Sequence, residues 1–148
     1  MKTKTKFLLA TLLLLPLLFC TMIWLAGTAL SHSVQRPIGA LPTALQGRNV
    51  TFASTSGATI HGWLIEGQAS KGAVILMHGV RDSRLSMLER ARFLAAAGYA
   101  VLLFDFQAHG ESQGKQITFG YLESRDAQAA TRFMRGLFPA RKIGIIGV

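Results

Sequence analysis

The chain has one cysteine and few acidic residues. A single cysteine, Cys20, rules out an internal disulfide. Its place inside an apolar run leaves the redox compartment undecided, and Phe19 before it is not the small residue that lipid attachment requires. Only seven Asp and Glu stand against sixteen Lys and Arg, a formal net charge of +9. The basic residues are nevertheless scattered, with no run of five or more. Scattered charge is the pattern of a solvated face, so no nucleic-acid partner is expected. His32, His61, His78 and His109 lack metal-ligand spacing and have no cysteine partners. There is no phosphate-binding GxxxxGK[ST], and no GxGxxG follows a strand pattern. Neither a metal nor a cofactor is expected.

Long hydrophobic stretches, by contrast, are present. Phe7 to Leu30 carries no charge, and as a helix it would span about 36 Å against a hydrocarbon core of about 30 Å. Pro16 is tolerable in a membrane helix, and Trp24 falls near the far end, where an interfacial aromatic sits. Gly27-Thr28-Ala29 would pass as a cleavage site, so an anchor and a cleaved signal both stand; the length of the apolar run favours the anchor. Lys2, Lys4 and Lys6 precede the run, and Arg36 alone follows it closely. That asymmetry predicts a cytoplasmic N-terminus and a domain on the periplasmic or extracellular side, secreted if the segment is cleaved. The expected organisation is a cytoplasmic stretch over 1–6, the anchor or signal over 7–30, a linker over 31–47 and a folded part over 48–148. Pro37, Gly39 and Pro42 argue against helix or strand in the linker, which reads as a tether.

From Arg48 the pattern is regular. Val50 and Phe52 alternate with polar residues, Ser56-Gly57 marks a turn, and Thr59 to Ile65 reads as the returning strand of a hairpin. Ala73 to His78 and Tyr99 to Phe104 are continuous apolar runs, as in strands buried on both faces of a parallel sheet. Between them Leu85, Leu88, Ala91, Leu94 and Ala95 repeat at helical spacing, with Ser86 and Glu89 at capping-box spacing, Ser83 as an equal candidate cap, and Gly98 placed to end the helix. Leu122, Ala129, Phe133 and Leu137 mark a second helix, and Lys142 to Val148 begins another buried strand. The order β-β-β-α-β-α-β predicts a mostly parallel α/β sheet with helices on both faces. Ligands in such sheets collect at the carboxyl ends of the strands. Here those ends are His78-Gly79, Asp105 and whatever follows Val148.

Taken together, GATIHGWLIEG, VILMHGV, VLLFDFQAHGES and KIGIIGV resemble the α/β-hydrolase superfamily, over about Arg48 to Val148. The nearest resemblance is to membrane-anchored bacterial serine hydrolases of the serine aminopeptidase and acyl-hydrolase type. It implies the N-terminal half of that fold: a hairpin feeding a mostly parallel sheet with flanking helices. It further implies that His78-Gly79 ends a strand and that the next residue, Val80, gives its amide to an oxyanion hole. Such fixed amide dipoles stabilise the developing oxyanion by about 3 kcal/mol each. His78 is expected to brace this loop and not to act as the base.

In the loop Asp105-Phe106-Gln107-Ala108-His109-Gly110-Glu111-Ser112, the resemblance implies an active-site rim with Asp105 as a brace. Ala108 stands where the family has glycine, which predicts that no positive φ is needed there. Gly110-Glu111-Ser112-Gln113-Gly114 fits G-x-S-x-G literally. A nucleophile elbow, however, needs a strand running into the first glycine and a helix starting right after the serine. Ser112 has neither pattern. Gly147 and Val148 match the start of the elbow better, which puts the nucleophile directly after Val148 and the acid and histidine of the triad further on. The chain by itself is therefore expected to be inert. Glu123 and Asp126 are expected to cap the second helix or pair with arginines. The implied reaction is cleavage of an ester, thioester or amide in a small acyl-type molecule or a peptide. Two alternatives stay open: a membrane-tethered binding protein on the same fold, and a lyase or dehalogenase with another residue in place of the serine.

Overall fold

A computed structural model describes residues 2–148 of the chain, and side chains from Thr11 onward. The side chains of Lys2, Lys4 and Lys6, on which the predicted topology turns, lie outside the described residues. Contacts divide the chain into two compact units, one ending at His32 and one over Ser33–Val148. The first is a helix, α1 (Lys2–Ser31), with Pro16 inside it. Its stretch Thr11–Ser31 is long and apolar enough to cross a membrane. The hydroxyls of Thr21 and Thr28 donate to the carbonyls of Leu17 and Leu25, so they need no outside partner.

The second unit is built on seven strands: β1 (Val34–Gln35), β2 (Arg48–Ala53), β3 (Thr59–Ile65), β4 (Ala73–Met77), β5 (Ala100–Phe104), β6 (His109–Gly110) and β7 (Ile143–Gly147). Five form one sheet in the order β2-β3-β5-β4-β7. The hairpin β2-β3 is antiparallel, and β3 also runs antiparallel to β5. β5, β4 and β7 are parallel. A 3₁₀ turn (Arg84–Met87) leads into α2 (Leu88–Ala96), and α3 is Glu123–Leu137.

Successive strand residues point to opposite faces, and both faces are covered along β3, β4 and β5. β7, expected as another buried strand, is instead exposed at the edge of this sheet, with Ile145 50% and Ile146 39% accessible, because it pairs with β4 on one side only among the described residues. Ile60, Leu64, Ile75, Leu102 and Phe104 pack toward Ala130 and Met134 of α3. Trp63, Val74, Leu76, Val101 and Leu103 pack toward Met87 and Ala91 at α2. This double burial is why β4 and β5 read as unbroken apolar runs. Gly98, at φ +85°, ends the α2 segment as its sequence suggests.

Three further local expectations are corrected. The first turn before α2 is 3₁₀, and no capping box forms: Ser86 Oγ donates to the Ser83 carbonyl, and the Ser83 side chain caps nothing. Ala108 does adopt positive φ, at +60°. It is fully buried and its carbonyl accepts the Val34 N–H, so surrounding bonds hold it in a left-handed conformation that costs about 1–2 kcal/mol. Finally, the segment read as a tether pairs with the domain. β1 runs parallel to β6, Val34 beside His109 and Gln35 beside Gly110. Further on, Ile38, Leu41 and Leu45 pack on the α2 side of the sheet. Pro37 and Gly39 fall just after the two-residue strand, and their break in the pattern hid it.

Candidate active site

Register brings the strand ends together. Met77 lies beside Phe104 of β5 on one side and beside Gly147 of β7 on the other. The next residues, His78, Asp105 and Val148, therefore emerge along one carboxyl edge. Val148 N–H donates to Met77 O at 3.3 Å. A β-carbon placed on Gly79 would lie 3.7 Å from the Val148 carbonyl, so the two strand exits nearly touch. A cavity of about 260 Å³ opens there, lined by Val80, Phe106, Ile117, Phe119 and Val148 among others. A larger hollow, about 830 Å³, lies by Arg48, Glu66 and Arg92. It sits at the other end of the sheet, beside the start of β5, where parallel strands present no converging exits.

Among the described residues nothing accepts a hydrogen bond from the Val80 N–H, and the Val80 side chain is exposed. The residue after it, Arg81, is at φ +62°, and Phe119 on the cavity wall is at φ +50°. With Ala108, that puts three strained non-glycine residues in the loops around one cavity. Strain of this kind persists only where neighbouring contacts over-determine it.

At Arg81 one such contact comes from His109, and a second histidine, His78, braces the same loops. His78 is buried, its Nε2 accepts the Phe106 N–H at 3.1 Å, and its Nδ1 lies 2.7 Å from the Gly79 carbonyl. An acceptor Nε2 places the proton on Nδ1, which donates to Gly79. Burial holds this imidazole below its ordinary pKa. His109 works in the opposite direction: its Nε2 accepts the Arg81 N–H at 3.1 Å and its Nδ1 donates to Gln107 O at 2.8 Å. Each histidine thus ties one active-edge loop to the other, and the rings lie 5.0 Å apart. With both Nε2 atoms engaged, neither is placed as a general base.

Asp105 is wholly buried. It accepts the Arg84 N–H at 2.7 Å, Arg84 Nη1 at 2.6 Å and the Glu111 N–H at 3.0 Å. Arg84 also donates to Glu111 and lies 4.5 Å over the Trp63 ring. Burial pushes the Glu111 carboxyl up, but Arg84 and the amides of Ile38 and Gly39 more than offset this and leave it below the usual carboxylate range. Gly110, at φ +48°, closes on this pair; an added β-carbon would sit 2.2 Å from Asp105 Oδ2. Ser112, also fully buried, donates its hydroxyl to Asp105 O at 2.6 Å and accepts the His61 N–H at 2.9 Å. It lies in a turn and no helix follows until Glu123, so the literal G-x-S-x-G does not form an elbow.

Sequence reasoning missed Arg84, Glu111 and Trp63. The signal available was Asp105, a charge ending a run of buried apolar residues, which demands a partner. The expected arginine partners of Glu123 and Asp126 are also corrected. Asp126 accepts from Ser56 Oγ at 2.6 Å and from the Gln107 N–H at 2.9 Å, and burial raises its pKa. Glu123 accepts from the Thr118 and Gly120 amides, the Thr118 hydroxyl and Gln107 Nε2. Burial opposes its ionisation, but these bonds prevail and bring its pKa down to about 2. Backbone, hydroxyl and amide donors fill both carboxylates, while the neighbouring Arg125 turns to Thr55 O and the Tyr121 hydroxyl.

The sheet order, the flanking helices and the converging strand exits define an α/β-hydrolase fold, and comparison with known proteins agrees. The chain is similar to the Pyrococcus furiosus esterase Pf2001, with 31% identity and a TM-score of 0.69 over 78% of this chain and 48% of that one. It shares the fold of the α/β hydrolase from Vibrio vulnificus, with 20% identity and a TM-score of 0.57 over 68% of this chain and 34% of that one. It is 27% identical over 95 residues to the uncharacterized protein YqkD of Bacillus subtilis strain 168, covering 64% of this chain and 30% of that protein. Residues 68–147, more than half of the chain, match the family described as serine aminopeptidase, S33. The chain belongs to that family, and it spans less than half the length of these relatives.

Proposed function

We propose that the whole protein is a membrane-anchored serine hydrolase cleaving an ester, thioester or amide, with Val80 as one oxyanion donor and a serine directly after Val148. The observation that carries this reading is the shared cavity: Val80, whose N–H has no acceptor among the described residues, and Val148, at the exit of β7, line one space at the sheet's carboxyl edge. In the proposed step the serine Oγ bonds to the acyl carbon while a histidine takes its proton. The carbonyl electrons move onto oxygen, beside the Val80 N–H. Collapse breaks the bond to the leaving group, which receives the proton from histidine, and water then releases the acyl group in a second such cycle. The similarity to an esterase supports an ester as the first substrate to try.

The test is hydrolysis of p-nitrophenyl butyrate by the whole protein, with and without a fluorophosphonate. Turnover abolished by the reagent is expected; a folded protein that neither turns over nor reacts would sink the proposal. The apolar length of Thr11–Ser31 supports the anchor, and the lysines before it support a non-cytoplasmic domain. A reporter fused after Val148 should be active only if export-dependent.

A further inference from the structure

We propose that residues 33–39 are a working part of the site, with Arg36 as a positioning residue for the Val80 amide; this rests on the oxyanion role proposed above. The segment opens the second unit just after α1 in the chain, where a plain tether would make few bonds. Instead it is fastened at six points, beginning with Ser33 Oγ, which donates to Ala108 O at 3.3 Å. Val34 N–H donates to Ala108 O at 2.9 Å and Arg36 N–H to Gly110 O at 2.7 Å. Gln35 Nε2 donates to Ser112 O at 2.7 Å. Ile38 and Gly39 amides donate to Glu111 Oε1 at 3.0 and 3.1 Å. All of these grip the loop that carries His109.

Arg36 alone reaches the other loop. Its Nη2 donates to the buried Ser83 Oγ at 3.0 Å and lies 3.7 Å from Asp82 Oδ1, which in turn accepts the Ser83 N–H at 2.8 Å. Asp82 N–H donates to Gly79 O, closing the turn whose middle residues are Val80 and Arg81. The turn is thus held on one side by His109 at Arg81 and on the other by Arg36 at Asp82 and Ser83. The ion pair is about half exposed and adds little to stability. Its effect is on position, and a small displacement of a group that meets the reacting atoms is felt strongly in rate.

The experiment compares Arg36→Ala, Arg36→Lys and Ser83→Ala with the wild-type whole protein, and uses Arg48→Ala, in the exposed Arg48–Glu66 pair, as a remote control. Steady-state kinetics on p-nitrophenyl butyrate are measured beside binding of a trifluoromethyl ketone, which forms an oxyanion on the enzyme. For Arg36→Ala the expected result is kcat lower by about tenfold, with KM changed less than about twofold and ketone affinity down by the same factor as kcat. Arg36→Lys should recover most of the loss, and Arg48→Ala should match wild type. Equal kcat and ketone affinity in wild type and Arg36→Ala would overturn the proposal, as would a change in KM alone. If Arg36→Ala does not fold, Ser83→Ala decides in the same way: a fall in kcat supports the positioning role and wild-type kcat refutes it. Wild-type protein inert to both substrate and ketone would instead remove the hydrolase reading itself.

Discussion

Replacing Asp105 by alanine should unfold the active edge from within. Asp105 is wholly buried, and Arg84 beside it is 2% exposed. The substitution removes the acceptor of Arg84 Nη1 and also orphans two backbone donors, Arg84 N–H and Glu111 N–H. Removing one partner of a buried ion pair costs about 3–5 kcal/mol, because the surviving charge stays desolvated. Each stranded amide costs about 1–3 kcal/mol, and the contributions overlap. Glu111 and the face of Trp63 still hold Arg84, so about 4 kcal/mol is the working figure. A domain is stable by about 5–15 kcal/mol, so the loss is a large fraction of the total. With a urea m-value of about 2 kcal/mol/M, the unfolding midpoint of the detergent-solubilised whole protein should fall by roughly 2 M. Arg84→Met in the same background should recover at least about 2 kcal/mol of this, since the lone charge is then gone and the chain still lies along Trp63. A midpoint shift below about 0.5 M for Asp105→Ala, or strict additivity in the double variant, would refute the reasoning.

Other expectations follow from the same contacts. Gly110→Ala combines positive φ with a β-carbon 2.2 Å from Asp105 Oδ2; soluble yield and thermal midpoint should fall as far as for Asp105→Ala, and a wild-type midpoint would contradict it. Ala108→Gly should be within about 1 kcal/mol of neutral, because relief of about 1–2 kcal/mol of strain is offset by the lost buried methyl and the freer unfolded chain. Ala108→Val should be strongly destabilising by the same chemical-denaturation assay. The depressed pKa of His78 means that the unfolded chain takes up that proton first as pH falls. Its contribution to stability is complete above about 6.5 and is lost as pH drops through the folded-state value; His78→Gln should flatten that limb of a stability–pH profile. Glu123, at about 2 against an ordinary 4.5, stabilises fully above 4.5 and loses this between 4.5 and 2; Glu123→Gln should remove that acid limb.

The sheet was legible because its central strands, β4 and β5, are buried on both faces. Runs such as Val74–Met77 and Val101–Phe104 can hardly be surface elements, and the turn residues between them set the element order. The carboxyl-edge site followed from topology, which brings His78, Asp105 and Val148 to one edge whatever the intervening loops do. What stayed hidden was long-range and polar. No local pattern says that Arg84, and not another arginine, meets Asp105 across 21 positions. Nor does any local rule reveal that Val34–Gln35 pairs with His109–Gly110, since a two-residue strand before Pro37 has no periodicity to detect. Ala108 misled for a related reason: alanine disfavours positive φ, but a bond from the Val34 N–H to its carbonyl and one from its own N–H to Gln113 O impose it.

The most direct test of the hydrolase reading is to find where a fluorophosphonate attaches. The whole protein would be labelled, digested and mapped by mass spectrometry. The expected adduct is on the residue directly following Val148, with Ser112→Ala labelled as fast as wild type. Ser112 Oγ is buried between Asp105 O and the His61 N–H and has no path to the reagent. An adduct on Ser112, or a folded protein carrying no adduct, would contradict the account.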